Sequence, residues 1–187
     1  AWPRDDEGDA PLPRANLVWP HECAWVRSRL AAAAESGRFA AQLETAFAFW
    51  SGQPTRFADV WRVHMFGIRD DGTRLVLDLD PLVDADPGKS IQARRPIEFE
   101  GEAARTLRAW VKRREVELSD IHLPDVERQQ ALLFGDPMNP RAAHRPGATG
   151  LAMNQWLKAV TGDAMVSIHT LRHSLLTFGR LDAKDQR

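Results

Sequence analysis

Tyrosine is absent from all 187 residues, although seven tryptophans and eight phenylalanines show no shortage of aromatic side chains. Cysteine occurs once, as Cys23, which excludes an internal disulfide and fits a reducing, cytoplasmic compartment. Long apolar runs are missing as well. Nothing approaches the ~20 residues of a membrane span, and no segment reads as a signal peptide. Neither sign of charge is in excess: the net charge is −1, so any surface for nucleic acid must be local. A start at Ala1 and the lack of tyrosine together suggest a piece of a longer protein.

Several chemistries lack their residues. There is no Gly-rich phosphate loop, no dinucleotide fingerprint and no G-x-S-x-G elbow. One cysteine with His21, His64, His122 and His144 scattered along the chain gives no zinc-ligand spacing, so neither a metal nor a cofactor is expected.

What remains is ordinary for a globular chain, with 43% apolar and 27% charged residues, enough for one domain with a real core. Residues 1–13, rich in Pro and acid, read as a linker or frayed terminus ahead of a domain over 14–187. Helices are predicted over His21–Ser36 with Gly37 as the stop, over Phe39–Trp50, and from Arg56 to about Met65 with Thr55 as the cap. Thr73–Leu79 and Ser90–Phe99 read as the two strands of a hairpin around Asp84-Ala-Asp-Pro-Gly88. A helix over Glu102–Leu118 follows, with Arg105, Arg108, Lys112, Arg113 and Arg114 as a solvated face offset by Glu102, Glu115 and Glu117. His122–Pro146 should be mostly loop, and Thr149 and Ser167 should cap two final helices. The pattern is α+β, mainly helical with a small antiparallel hairpin.

Three features could carry chemistry. Ser167-Ile-His-Thr-Leu-Arg-His-Ser174 places His169, Arg172 and His173 on one side of a helix, beside an apolar stripe of Ile168, Leu171, Leu175 and Phe178. Two imidazoles flanking a guanidinium suit an anion gripped while a proton moves nearby, and equally describe an exposed basic face. Ser174 points away from that side and reads as structural. Arg56 and Asp59 stand at i, i+3, either as an anion grip steadied by the acid or as a plain ion pair. Lys89 follows Gly88 at the hairpin tip, where a lysine can swing and donate a proton or simply be solvated, and Arg94 and Arg95 compete with it. From Asn139 onward the chain leans positive through Arg141, Arg145 and Lys158.

In order, these features resemble the catalytic domain of the tyrosine recombinase (phage integrase) family, over about Pro11 to Arg187. The family's first box is a small turn, an arginine and an acid three residues on, here Ser51-Gly-Gln-Pro-Thr-Arg-Phe-Ala-Asp59. Gly88-Lys-Ser-Ile-Gln-Ala-Arg-Arg-Pro-Ile97 looks like its lysine hairpin, and Leu133-Phe134 like its "LF" segment. The second box, His-x-Leu-Arg-His-Ser, stands verbatim at His169–Ser174. Two departures stand out. The turn before Arg56 is longer than usual, and the family's Gly-His and nucleophilic tyrosine are missing, which reads as an early end rather than mutation.

The resemblance implies an integrase-like catalytic domain that breaks and rejoins double-stranded DNA through a 3′-phosphotyrosyl link, without metal or cofactor. Arg56 and Arg172 would clamp the phosphate, Lys89 would protonate the leaving 5′ oxygen, His169 would act as general base, and Asp59 and His173 would support them. Arg94, Arg95, Arg141, Arg145 and Lys158 are candidate DNA contacts, with a homo-oligomer on DNA and no membrane. The setting it implies is a bacterial nucleoid or a phage or mobile element. Without the tyrosine the chain itself should be inactive. The alternative is a non-catalytic DNA-binding or regulatory protein on the same scaffold.

Overall fold

A computed structural model describes residues 17–79 and 96–185, the last seven of these by backbone alone. Helix α2, Arg38–Gly52, is the centre of the fold. It is buried almost continuously from Gln42 to Ser51 and touches α1 (Pro20–Ala33), α3 (Gly101–Asp120), α5 (Pro146–Thr161) and α6 (Ile168–Asp185). A run apolar on every side, as that over residues 46–50 is, has to sit inside other elements, and Phe47, Phe49 and Trp50 have no more than 1% of their surface exposed. Helix α3 turns a stripe of Ala104, Leu107, Trp110, Arg114 and Leu118 inward. The result is mainly helical with a three-stranded antiparallel sheet, an α+β fold.

The sheet runs β1 (Val63–Asp70), β2 (Leu75–Leu79), β3 (Ile97–Phe99), in that spatial order. In β2, Leu75, Leu77 and Leu79 are buried while Val76 and Asp78 are half-buried, the alternation of a strand with one face on the core. Leu75 pairs with Phe99 and Leu77 with Ile97, as the expected hairpin requires, while its turn lies outside the described residues.

Strand β1 overturns the expected third helix. After α2 the chain makes only one 3₁₀ turn, Asp59–Arg62, and then pairs with β2. The register slips between Val63 and Ile68, and a Cβ on Gly67, inside that slip, would lie 3.0 Å from the Asp78 carbonyl oxygen. Such an irregularity breaks the period-two pattern by which a strand is read from sequence. The 122–146 segment is also more ordered than a loop. It holds a short helix, α4 (Asp125–Gln130), and residues 131–135 lie along β1, where Met65 N–H donates to Ala131 O and Leu133 N–H to Val63 O. Helix α5 starts at Pro146, not Thr149. Thr149 sits one turn in, and its hydroxyl donates to Arg145 O.

Arg114 contradicts the solvated face assigned to α3. Its side chain is wholly buried, donating to Leu132 O and Asp136 O and pairing with Glu117 at 2.8 Å. Glu117 also takes two hydrogen bonds from Arg38, whose remaining donors reach Gly135 O at 2.8 Å and His144 Nδ1 at 2.9 Å. Burial works against the Glu117 carboxylate, but the two arginines outweigh it and hold its pKa below the ordinary value. Burial, then Arg38, pushes the His144 pKa down. His144 Nδ1 lies between Arg38 Nη1 at 2.9 Å and Gln42 Oε1 at 2.8 Å, while Nε2 faces Asp136 Oδ2 at 4.0 Å.

Gly135 is where this network meets the backbone. A Cβ there would run into the Pro140 carbonyl oxygen and lie 2.6 Å from Arg114 Nη2. Gly135→Ala should therefore cost about 1–3 kcal/mol in chemical denaturation, as overpacking does. Acidification should weaken the fold in two stages. Below the ordinary histidine value of 6.5 the unfolded chain takes up a proton that folded His144 refuses, so stability falls with pH. The stability held by ionised Glu117, full above its ordinary 4.5, is then lost as the pH drops through its lower folded value. Melting temperatures measured across this range should lose the upper stage in His144→Gln.

Candidate anion-binding site

Pro54 sets the local geometry. It cannot continue α2, and it drives the preceding Gln53 to an extended conformation with φ −145° and ψ 145°. Thr55 N–H then donates to Gln53 O at 2.7 Å, a tight turn centred on Pro54. The Pro54 carbonyl oxygen accepts from Arg172 Nε on α6 at 3.1 Å. This bond ties the first turn and a half of α6 to the loop carrying Arg56, joining segments 118 residues apart in sequence.

Asp59 does not hold the Arg56 guanidinium, as its spacing suggested it could. Its Oδ2 accepts the backbone N–H of Arg56 at 2.7 Å, and its Oδ1 lies 3.9 Å from Arg62. The Arg56 side chain is exposed, with no carboxylate partner among the described residues. Arg172 is half-buried and spends only Nε on Pro54, so its two terminal nitrogens have no protein partner among those residues. His169 and His173 are both exposed, and their Nε2 atoms lie 2.9 Å apart with the rings edge to face. His173 thus has its contact with His169, one turn back on the same helix.

Ser174 is structural, as its position on the helix suggested. It is fully buried, donates to Thr170 O at 2.8 Å and accepts Val18 N–H at 2.8 Å, fastening the entry of α1 to α6. Ile168 and Leu171 are buried, while Leu175 and Phe178 are half-buried, with Phe178 5.3 Å from the Trp19 ring. Ser167 precedes α6, and its N–H donates to Thr170 Oγ1 at 3.2 Å.

Other expected contacts are spread out. Arg141 donates to Gln130 Oε1. Arg145 and Lys158 are exposed at opposite ends of α5, about 20 Å apart at 1.5 Å per residue, too far to share one phosphate. Lys89, Arg94 and Arg95 lie outside the described residues. No group of three or more His, Cys, Asp or Glu is placed to hold a metal among the described residues, and no helix there could cross a membrane.

The sequence reading missed Pro54 as the acceptor that orients Arg172, and it missed the aromatic floor. Phe57 stacks on Trp50 at 5.4 Å and meets Trp61 at 5.9 Å, and Trp61 meets Phe134 at 5.9 Å. A Cβ on Gly150 would lie 3.0 Å from the Phe57 ring, so α5 packs against the same loop. The density of tryptophan and phenylalanine between Phe47 and Trp61 was the available signal.

Ser174→Ala should leave the Val18 N–H buried without an acceptor, at about 1–3 kcal/mol. The melting temperature should fall with no change in anion affinity of the folded protein. Comparison of the chain with family models, with curated proteins and with solved structures finds no match in any of the three.

Proposed function

We propose that this surface grips the phosphodiester backbone of double-stranded DNA, and that the domain is an integrase-like catalytic domain of the tyrosine recombinase type. The observation that carries the reading is the Arg172–Pro54 hydrogen bond. It ties the His-x-x-Arg-His face to the Arg56 loop, while Arg56 and the outer nitrogens of Arg172 have no acidic partner among the described residues. Two guanidinium groups free of carboxylates suit non-bridging phosphate oxygens, where charge builds during displacement. His169, exposed at the same end of α6, would serve as general base or hydrogen-bond partner. Lys89 would be the acid for the leaving 5′ oxygen, and a homo-oligomer would assemble on the DNA.

The second reading is a DNA-binding or regulatory domain that makes no covalent link. The absence of any tyrosine from the chain favours it. In both readings Arg56→Ala and Arg172→Ala should weaken duplex binding measured by fluorescence anisotropy. Each should also lower the slope of log affinity against log salt by about one unit per phosphate contact removed. Trapping separates the two: protein supplied with a downstream tyrosine should form a covalent adduct on a nicked duplex, and its Arg172→Ala variant should not. Unchanged DNA affinity in both alanine variants would falsify the phosphate grip. DNA cleavage by the 187-residue chain alone would overturn the assignment of the nucleophile to tyrosine.

A further inference from the structure

His169 and His173 stand one helical turn apart on α6, both exposed, with Nε2 atoms 2.9 Å from each other and ring centroids 4.4 Å apart. Neither ring has another hydrogen-bond or ion-pair partner among the described residues. At that distance one ring, carrying its proton on Nε2, can donate to a bare Nε2 on the other, so the two nitrogens face each other at the helix surface. A transition-metal ion bound to two imidazoles at about 2.0–2.1 Å needs those nitrogens about 2.9–3.4 Å apart, for angles between square and tetrahedral. The observed separation falls at the lower edge of that range, and side-chain rotations would turn both lone pairs away from each other and onto a common point.

We propose that His169 and His173 form a two-histidine chelate for a borderline divalent metal ion of the zinc, nickel and copper class, with water filling the other positions. Imidazole suits these ions, and neither calcium nor magnesium would favour such ligands. No net proton is released when the neutral pair binds. The single Nε2–H moves to Nδ1 of the same ring, leaving both Nε2 lone pairs on the metal. The helix supplies the preorganisation, because residues at i and i+4 lie on one face without bending the backbone. Arg172 opposes a second cation nearby, although its Nε is turned toward Pro54 O. The site is accordingly a reversible one, not a structural one. Cys23 does not compete for the ion, being buried with its thiol pushed up to about 11 by that burial.

Metal binding needs neither DNA nor tyrosine, so it stands apart from the proposed function. Its consequence for that function is inhibitory, since the ion occupies the His169 nitrogen that would take a proton.

The test is calorimetric titration of the untagged chain with zinc chloride, without DNA, at neutral pH. One ion per chain is expected. His169→Gln and His173→Gln should each weaken binding about tenfold or more, at least what loss of an outer-shell partner costs a metal site. The exposed His122→Gln should bind as the parent does. Nitrogen-detected NMR of the parent should show both ring protons on Nδ1 once zinc is bound. Circular dichroism checks that the variants keep their helices, which their exposed positions favour. Unchanged affinity in either glutamine variant, or no saturable heat from the parent, would overturn the proposal.

Discussion

The buried guanidinium of Arg114 is the constraint on which the position of the candidate site depends. A charge with no exposed surface is tolerable only with partners, and Arg114 finds them in Glu117 and in the carbonyls of Leu132 and Asp136. Those carbonyls belong to the segment that places Leu133 and Phe134 in the core. Trp110 reinforces it by donating Nε1–H to Leu133 O and stacking on Phe134 at 5.7 Å. Phe134 meets Trp61, Trp61 meets Phe57, and Phe57 sits in the loop between Pro54 and Asp59. A continuous chain of contacts thus runs from a salt bridge on α3 to the loop that orients Arg172. Gly135 shows how tightly its first link is drawn, since even a methyl group there would collide with Arg114 and with the Pro140 and Leu132 carbonyls.

The same economy of charge explains how a chain of net charge −1 presents a local cationic surface. Many of its arginines are neutralised within the fold. Arg27 meets Glu102, Arg69 meets Asp78, Arg74 meets Glu98, and Arg108 makes two bonds of 2.8 Å to Asp70. Most of these pairs are exposed and contribute little to stability. They do decide where positive potential survives. Asp59 is the acid nearest Arg56 in sequence, and the fold turns its oxygens to a backbone N–H and to Arg62. That diversion leaves the Arg56 guanidinium without a carboxylate partner among the described residues.

The helices were legible because their signals are local. Periodicity marked α2 and α3 to within a residue or two, and the verbatim His-x-Leu-Arg-His-Ser run marked the face of α6. Strand β1 was not legible. Val60, Val63 and Ile68 carry apolar residues at spacings a helix also allows, and the slip around Gly67 removes the alternation that would have decided it. Tertiary pairing with β2 settled what local sequence left ambiguous. Arg114 was misread for a related reason. Charge counts along a helix do not show that one arginine falls on the inner stripe with Leu107, Trp110 and Leu118. For the site, the residue types were readable, but their joining was not, because it rests on the carbonyl of Pro54, an atom that every residue has.

The loop itself is under-bonded. Trp50 Nε1, Thr55 Oγ1 and Trp61 Nε1 are buried without hydrogen-bond partners, three of the five such atoms among the described residues. Buried polar atoms are usually satisfied, so their concentration in residues 50–61 marks a segment held by aromatic packing more than by its own hydrogen bonds. Rings can slide over one another at less cost than ladders of N–H and carbonyl groups can be broken. The bond from Arg172 to Pro54 is then one of the few directional restraints on this loop. An anion that drew Arg172 toward itself would pull on the same carbonyl, and the Arg56 loop would have to follow or let go. The two segments thus share a restraint through one backbone oxygen, next to the Asp59 carboxylate that holds the Arg56 N–H.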